Sequence, residues 1–228
     1  MSGQTPAAGA GFLYPFLDGA ERDSATLLAD LAQSAQAKAA DSATLRRTTL
    51  AAVAELLTTT AVEMSHRFAS GGRLFTFGNG GSSTDATTLA ALFAHPPAGA
   101  GLPAWSLTAD QAILTALGND VGFDLVFARQ LIARAGAGDI AVAMSTSGNS
   151  ADLTAALREA RQRGMYTVGF AGYDGGAFAH SPDVDACFVV RSQSVHRIQE
   201  TQALLGYELW SAVHEHSRQL SAEGSKVR

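Results

Sequence analysis

Two short stretches carry residue types that could hold an anion without any cation: Gly78-Asn-Gly-Gly-Ser-Ser83 and Ser145-Thr-Ser-Gly-Asn-Ser150. Hydroxyl groups and unpaired backbone N–H groups can together cradle a phosphate, above all where a helix begins and its first N–H groups lack partners. The ordinary alternative is that Asn149 or Ser150 caps a helix, Gly148 permits a tight turn, and nothing binds there. A second loop of the same composition shifts the reading towards a ligand. Neither loop contains Lys or Arg, so binding would rest on hydroxyls and helix dipoles, which suits a sugar monophosphate better than a nucleoside triphosphate.

The elements that must position these loops follow from the apolar pattern. From Ser24 to Ala69 the spacing of Leu27, Leu31, Leu50, Val53, Leu57 and Phe68 is helical, with a helix start offered at Asp41-Ser42 and a stop at Gly71-Gly72. Five apolar runs then read as buried strands: 73–77, 103–107, 139–144, 166–171 and 185–191. Helical stretches separate them, from after Ser83 to about Ala94 and at 110–117, 123–134 and 151–163, and a last one runs from Val195 to about His216. Repeated strand–loop–helix units predict a parallel sheet covered on both faces, with each Gly/Ser/Asn loop at its carboxyl edge, where ligands collect. Residues 1–23 read as an extension whose apolar cluster, Phe12 to Leu17, docks on the body or on a partner. Residues 24–220 read as one domain and 221–228 as a polar, frayed tail.

Bulk properties narrow the classes. In 228 residues, 46% are hydrophobic and 16% charged, which describes a globular chain; the net charge of −5 gives no footprint for nucleic acid. The run Leu45-Arg46-Arg47 reads as a solvated helix face. The single Cys187 cannot form an internal disulfide and reads as a small buried residue, with Met144 and Trp105 as core. No Cys/His set has zinc-finger spacing, no apolar stretch has membrane-spanning length, and no signal peptide is apparent, so a cytoplasmic location is expected. A dinucleotide fingerprint would need Gly at position 83, where Ser stands; no Walker lysine follows either loop, and no G-x-S-x-G elbow occurs.

GNGGSS after one strand, STSGNS after another, GYDGG after the next and HRIQETQ opening the last helix resemble the sugar-isomerase (SIS) domain family. So does LTADQAILTALGNDVGFDLVFARQ between them. Within the family the resemblance is to the phosphoheptose isomerase branch, with the DnaA initiator-associating branch built on the same frame. It implies an α/β, three-layer, flavodoxin-like doubly wound fold with a five-stranded parallel sheet and N-terminal helices. It also implies a homotetramer with sites at subunit interfaces and a phosphorylated sugar such as a heptulose phosphate as ligand; no cofactor is expected. Residue by residue, Ser82, Ser145, Ser147 and Ser150 resemble phosphate-binding serines. Thr146 and Gln199 match sugar contacts, and Asn79, Gly80 and Asp120 lie on motif positions near the sugar.

The departures fall on the chemistry. The branch carries a His and a Glu six and ten residues after the serine of GNGGS, where this chain has Thr88 and Leu92, and a His eight residues after the Gln of RIQE, where it has Tyr207. The acid–base pair of an aldose–ketose interconversion is therefore missing from its expected places, as is the ligand set for the zinc of some members, of which only Gln199 is left. His196, three residues before Gln199 at a helix start, and Glu200 are the candidate replacements. The other five histidines, at 66, 95, 180, 214 and 216, are expected to have no functional role. Two readings stay open: an isomerase with relocated acid–base groups, and a non-catalytic phosphosugar sensor or regulatory protein.

Overall fold

A computed structural model describes residues 24–226 of the chain; the apolar cluster at Phe12–Leu17 lies outside them. The chain divides into two compact units, residues 1–41 and 42–228. Helix α1 runs from Ser24 to Ala69 without the start expected at Asp41-Ser42. A capping residue begins a helix only where the backbone leaves helical geometry. Here Ala37, Ala39, Ala40 and Ala43 surround the site, and no Gly or Pro interrupts the segment.

The second unit is a five-stranded all-parallel sheet with helices on both faces, as expected. The strands are β1 (Leu74–Gly78), β2 (Ala104–Ser106), β3 (Ile140–Met144), β4 (Tyr166–Gly172) and β5 (Ala186–Val190), in the order β2-β1-β3-β4-β5. The helices between them are α2 (Gly81–Ala94), α3 (Gln111–Asp120), α4 (Val126–Arg134), α5 (Ala151–Gln162) and α6 (Gly176–His180), with a 3-10 turn at Phe123–Leu125 between α3 and α4. Helix α7 (Val195–Lys226) continues past Ser221, where fraying was expected. Among the described residues no helix is long and apolar enough to cross a membrane.

The pleat explains the two cores. Leu74, Ile140, Val142, Val168 and Phe170 point to the face covered by α1, α2 and α7, where Met64, Phe93 and Leu209 meet them. Their neighbours Phe75, Phe77, Ala141, Ala143 and Ala171 point to the face covered by α4, α5 and α6. All five residues of β1 and of β3 are buried, which is what a central parallel strand requires. Trp105 departs from the core placement: β2 is an edge strand, and the ring stacks on Phe75 at 6.0 Å while remaining 48% exposed. Cys187 is half-buried, and burial pushes its thiol up to about 11, so at neutral pH it is a protonated, unreactive group.

The starts of β1 and β3 are pinned together. Asp139, buried just before β3, accepts from the Arg73 guanidinium at 2.7 Å and from the backbone N–H groups of Arg73 and Gly136 at 2.8 and 2.9 Å. With the register running from Leu74↔Ile140 to Gly78↔Met144, the loops leaving these two strands emerge side by side.

Candidate functional site

After β1 the chain crosses through α2 to β2; after β3 it crosses through α5 to β4 on the other side. The two loops therefore part at the β1/β3 boundary and leave a crevice at the carboxyl edge of the sheet, the place where doubly wound folds bind ligands. Both Gly/Ser/Asn loops border it.

The capping geometry of α5 bears on the ordinary reading of the second loop. Ser150 occupies the N-cap position with extended backbone, yet its side chain makes no capping hydrogen bond. Asn149 is turned elsewhere: its Oδ1 accepts from the backbone N–H of Ala177 in the first turn of α6, at 2.8 Å. A hydroxyl at a helix start that does not cap the helix is available to something else. Ser145 is buried and its Oγ accepts from Gly148 N at 3.0 Å; Ser147 Oγ accepts from Asn149 N at 3.2 Å. Accepting in this way leaves each hydroxyl hydrogen to be donated.

The glycines of GYDGG, Gly175 and Gly176, make room for this loop. A Cβ on Gly176 would lie 2.2 Å from the carbonyl oxygen of Ser147, and one on Gly148 would lie 2.3 Å from that of Gly175. On the other side, Gly80 opens α2 with φ +53° and no side-chain cap, and Ser82 is buried in the first turn. Helix α7 closes the crevice: a Cβ on Gly81 would fall 2.2 Å from Gln199 Nε2, and Gln202 Nε2 donates to the carbonyl of Ser145 at 2.7 Å. Thr146, half-buried, accepts from Gly172 N through its carbonyl at 2.9 Å. The serine loop, the α2 start and Gln199 are thus brought together.

Three expected site residues have other engagements. Asn79 directs its amide group to the carboxylate of Asp152, at 3.0 and 2.8 Å, stitching one loop to the first turn of the other's helix. Asp120 is exposed at the end of α3, where its carboxylate accepts from the Asn119 amide. Glu200 pairs with Arg46 of α1 at 2.9 Å, both side chains staying partly open to solvent. His196 is exposed in the first turn of α7. Thr88 donates its hydroxyl to the carbonyl of Thr84, and the Tyr207 ring packs tilted against Trp210, with centroids 5.3 Å apart. Leu92 offers no donor atom, so the set at 88, 92, 199 and 207 does not fit a zinc ion. Among the described residues no cluster of three His, Cys, Asp or Glu could hold a metal.

Sequence reading missed three residues: Asp85, Asp152 and Gln202. Asp152 is 3% exposed, and burial raises its carboxyl above the ordinary value despite the bonds from Asn79 and backbone N–H groups, with Asp124 adding to the rise. The folded state therefore protonates more readily than the unfolded one, and stability present in acid is lost as pH rises through that raised value. Asn79→Ala leaves the ionised carboxylate without its side-chain donor. We expect it to cost about 1–3 kcal/mol near pH 8 and less near pH 4, measured by denaturant unfolding at the two pH values. Equal losses at both would remove the Asn79–Asp152 bond from the account.

Comparison with known proteins agrees with this architecture. Residues 39–172 match the SIS domain family. The phosphoheptose isomerase of Solidesulfovibrio magneticus is 46% identical over 166 residues, covering 70% of this chain and 78% of the relative. That of Roseiflexus sp. is 42% identical over 170 residues, covering 72% and 83%. Among solved structures, the phosphoheptose isomerase from Neisseria gonorrhoeae superposes with a TM-score of 0.75 at 33% identity, covering 81% of this chain and 99% of the other. The enzyme from Francisella tularensis gives 0.75 at 28% identity, covering 79% and 96%.

Proposed function

Because this chain belongs to the SIS domain family and is a phosphosugar isomerase-like protein close to the phosphoheptose isomerases, we propose that it binds a heptulose phosphate and interconverts its ketose and aldose forms. The hydroxyls of Ser145, Ser147 and Ser150, with Ser82 across the crevice, hold the phosphate. Thr146, Gln199, Gly80, Asp120 and the remaining oxygen of Asn79 border the sugar. The observation that carries the reading is the Ser150 hydroxyl, set at a helix start in the crevice and making no cap. The relatives' activity, given by their names, supplies the substrate class.

In this reading the protein is a cytoplasmic homo-oligomer, expected to be a tetramer. Supporting assembly, Trp105, Val121, Phe123, Leu125 and Tyr207 leave large apolar surface exposed. Light scattering of the purified chain is expected to give four times the monomer mass; a monomer at micromolar concentration would contradict it.

A second reading has its own observation. Leu92, and Thr88 with its hydroxyl engaged on the backbone, can move no proton, and this favours a non-catalytic phosphosugar sensor. Incubation with sedoheptulose 7-phosphate in deuterated water separates the two. Catalysis is expected to place deuterium on the carbon beside the carbonyl; binding without exchange would establish the sensor.

A further inference from the structure

Resting on the isomerase reading above, we propose that Asp85 is the catalytic residue that carries the proton between the two reacting sugar carbons, acting from a small cavity between α2 and α7. The cavity has a volume of about 50 Å³, and its walls include Asp85, Thr88, Leu92, Met144, Gln202 and Gly206. Thr88 and Leu92 are the two positions at which the family resemblance leads one to expect a His and a Glu, and Asp85 is the one ionisable side chain among the lining residues. His196 and Glu200 do not line it. The cavity adjoins the serine loop: Met144 precedes Ser145, and Gln202 holds the Ser145 carbonyl. Asp85 lies three residues after Ser82, on the same side of α2.

Two atoms in this cavity call for a ligand. Asp85 Oδ2 and Gln202 Oε1 are buried acceptors with no hydrogen-bond donor, and Gln202 is wholly buried. A buried acceptor left unmatched is costly, and two on one cavity point to a donor supplied from outside. The hydroxyl-bearing end of a ketose supplies such hydrogens, with its phosphate end on the serine loop. The cavity admits that end of the sugar and not the whole molecule. Burial also raises the Asp85 carboxyl from its ordinary value, towards the range in which one group can both take and return a proton.

The step balances within the substrate. The Asp85 carboxylate takes a proton from the hydroxymethyl carbon beside the ketone. The released electron pair forms the carbon–carbon double bond of an enediol, and the carbonyl pair moves to its oxygen, which gains a proton. Asp85 then returns its proton to the former carbonyl carbon. The neighbouring hydroxyl gives up its hydrogen, which makes good the proton taken up by the former carbonyl oxygen, and becomes the aldehyde oxygen. One carbon is reduced, its neighbour is oxidised, and no other reactant is consumed.

The test uses the full chain with Asp85→Asn and Asp85→Glu. Asp85→Asn is expected to lower deuterium exchange into sedoheptulose 7-phosphate by about 10²- to 10⁴-fold while affinity for the sugar stays near the wild-type value. The variant is also expected to melt higher than wild type near pH 8, where the buried carboxylate is ionised and unpartnered, and to show a smaller gain in acid. Asp85→Glu keeps a carboxyl and is expected to retain part of the exchange with a displaced pH profile. Wild-type exchange in Asp85→Asn overturns the role of Asp85 and leaves the isomerase reading standing. Loss of affinity together with exchange makes Asp85 a binding group instead. A wild-type protein that binds the sugar without exchange overturns both the isomerase reading and this one.

Discussion

Gly148→Ala is expected to lower the stability of the protein and to abolish phosphosugar binding in the same stroke. Gly148 has φ +67°, a left-handed conformation that costs a residue with a Cβ about 1–2 kcal/mol. The added methyl would also meet backbone: Gly175 O at 2.3 Å and Gly175 C at 3.0 Å, with the Ala171 side chain at 3.2 Å. Backbone cannot step aside as the end of a side chain can, so overpacking adds about 1–3 kcal/mol. Relief requires the serine loop to move off the β4–α6 loop, which also pulls Ser147 and Ser150 from their places. Gly118→Ala is the control, since a Cβ there meets nothing within 4 Å and the residue lies inside α3. It is expected to be neutral or to stabilise by about 0.5–1 kcal/mol. Chemical denaturation of both variants measures this, and a Gly148→Ala protein as stable as wild type would show that the loop packing is misread.

Replacing Ser147 and Ser150 by Ala is expected to do the reverse, removing affinity and leaving stability almost untouched. Each lost hydrogen bond to a charged group is worth about 1–3 kcal/mol, or about 5- to 150-fold in the dissociation constant. Hydroxyls on one phosphate are coupled, so the double variant will not be a simple sum of the single ones. Stability should hold because Ser150 makes no capping bond and Ser147 only accepts from Asn149 N at 3.2 Å. The donors are neutral, so the affinity is also expected to depend weakly on salt, unlike that of a lysine or arginine cradle. Titration calorimetry of wild type and both single variants is the measurement. Unchanged affinity in both variants would remove the serine loop from the binding site.

How much of this was legible depends on the kind of interaction. The strands were visible because apolar runs such as Ile140–Met144 lie between polar loops, and their loops could be placed because parallel strands put every loop of one kind on one edge. The helix break at Asp41-Ser42 was misread because a capping residue is a local preference that an alanine-rich helix overrides. Trp105 looked like core because a strand's sequence does not say whether it lies at an edge. Asn79 illustrates the harder limit. Its motif suggested a sugar contact, while its amide partner, Asp152, is remote in sequence and reaches it only through the β1/β3 pairing. Asp85 and Gln202 went unseen for the same reason: what distinguishes them is a donor that is lacking in a cavity between two helices distant along the chain.

The most direct test is a crystal structure of the protein with sedoheptulose 7-phosphate bound. Phosphate oxygens are expected within hydrogen-bonding distance of the Ser145, Ser147 and Ser150 hydroxyls, in the crevice between the ends of β1 and β3. A phosphate seated elsewhere on the chain, or a crevice closed by the protein's own side chains while the sugar binds at another surface, would contradict it.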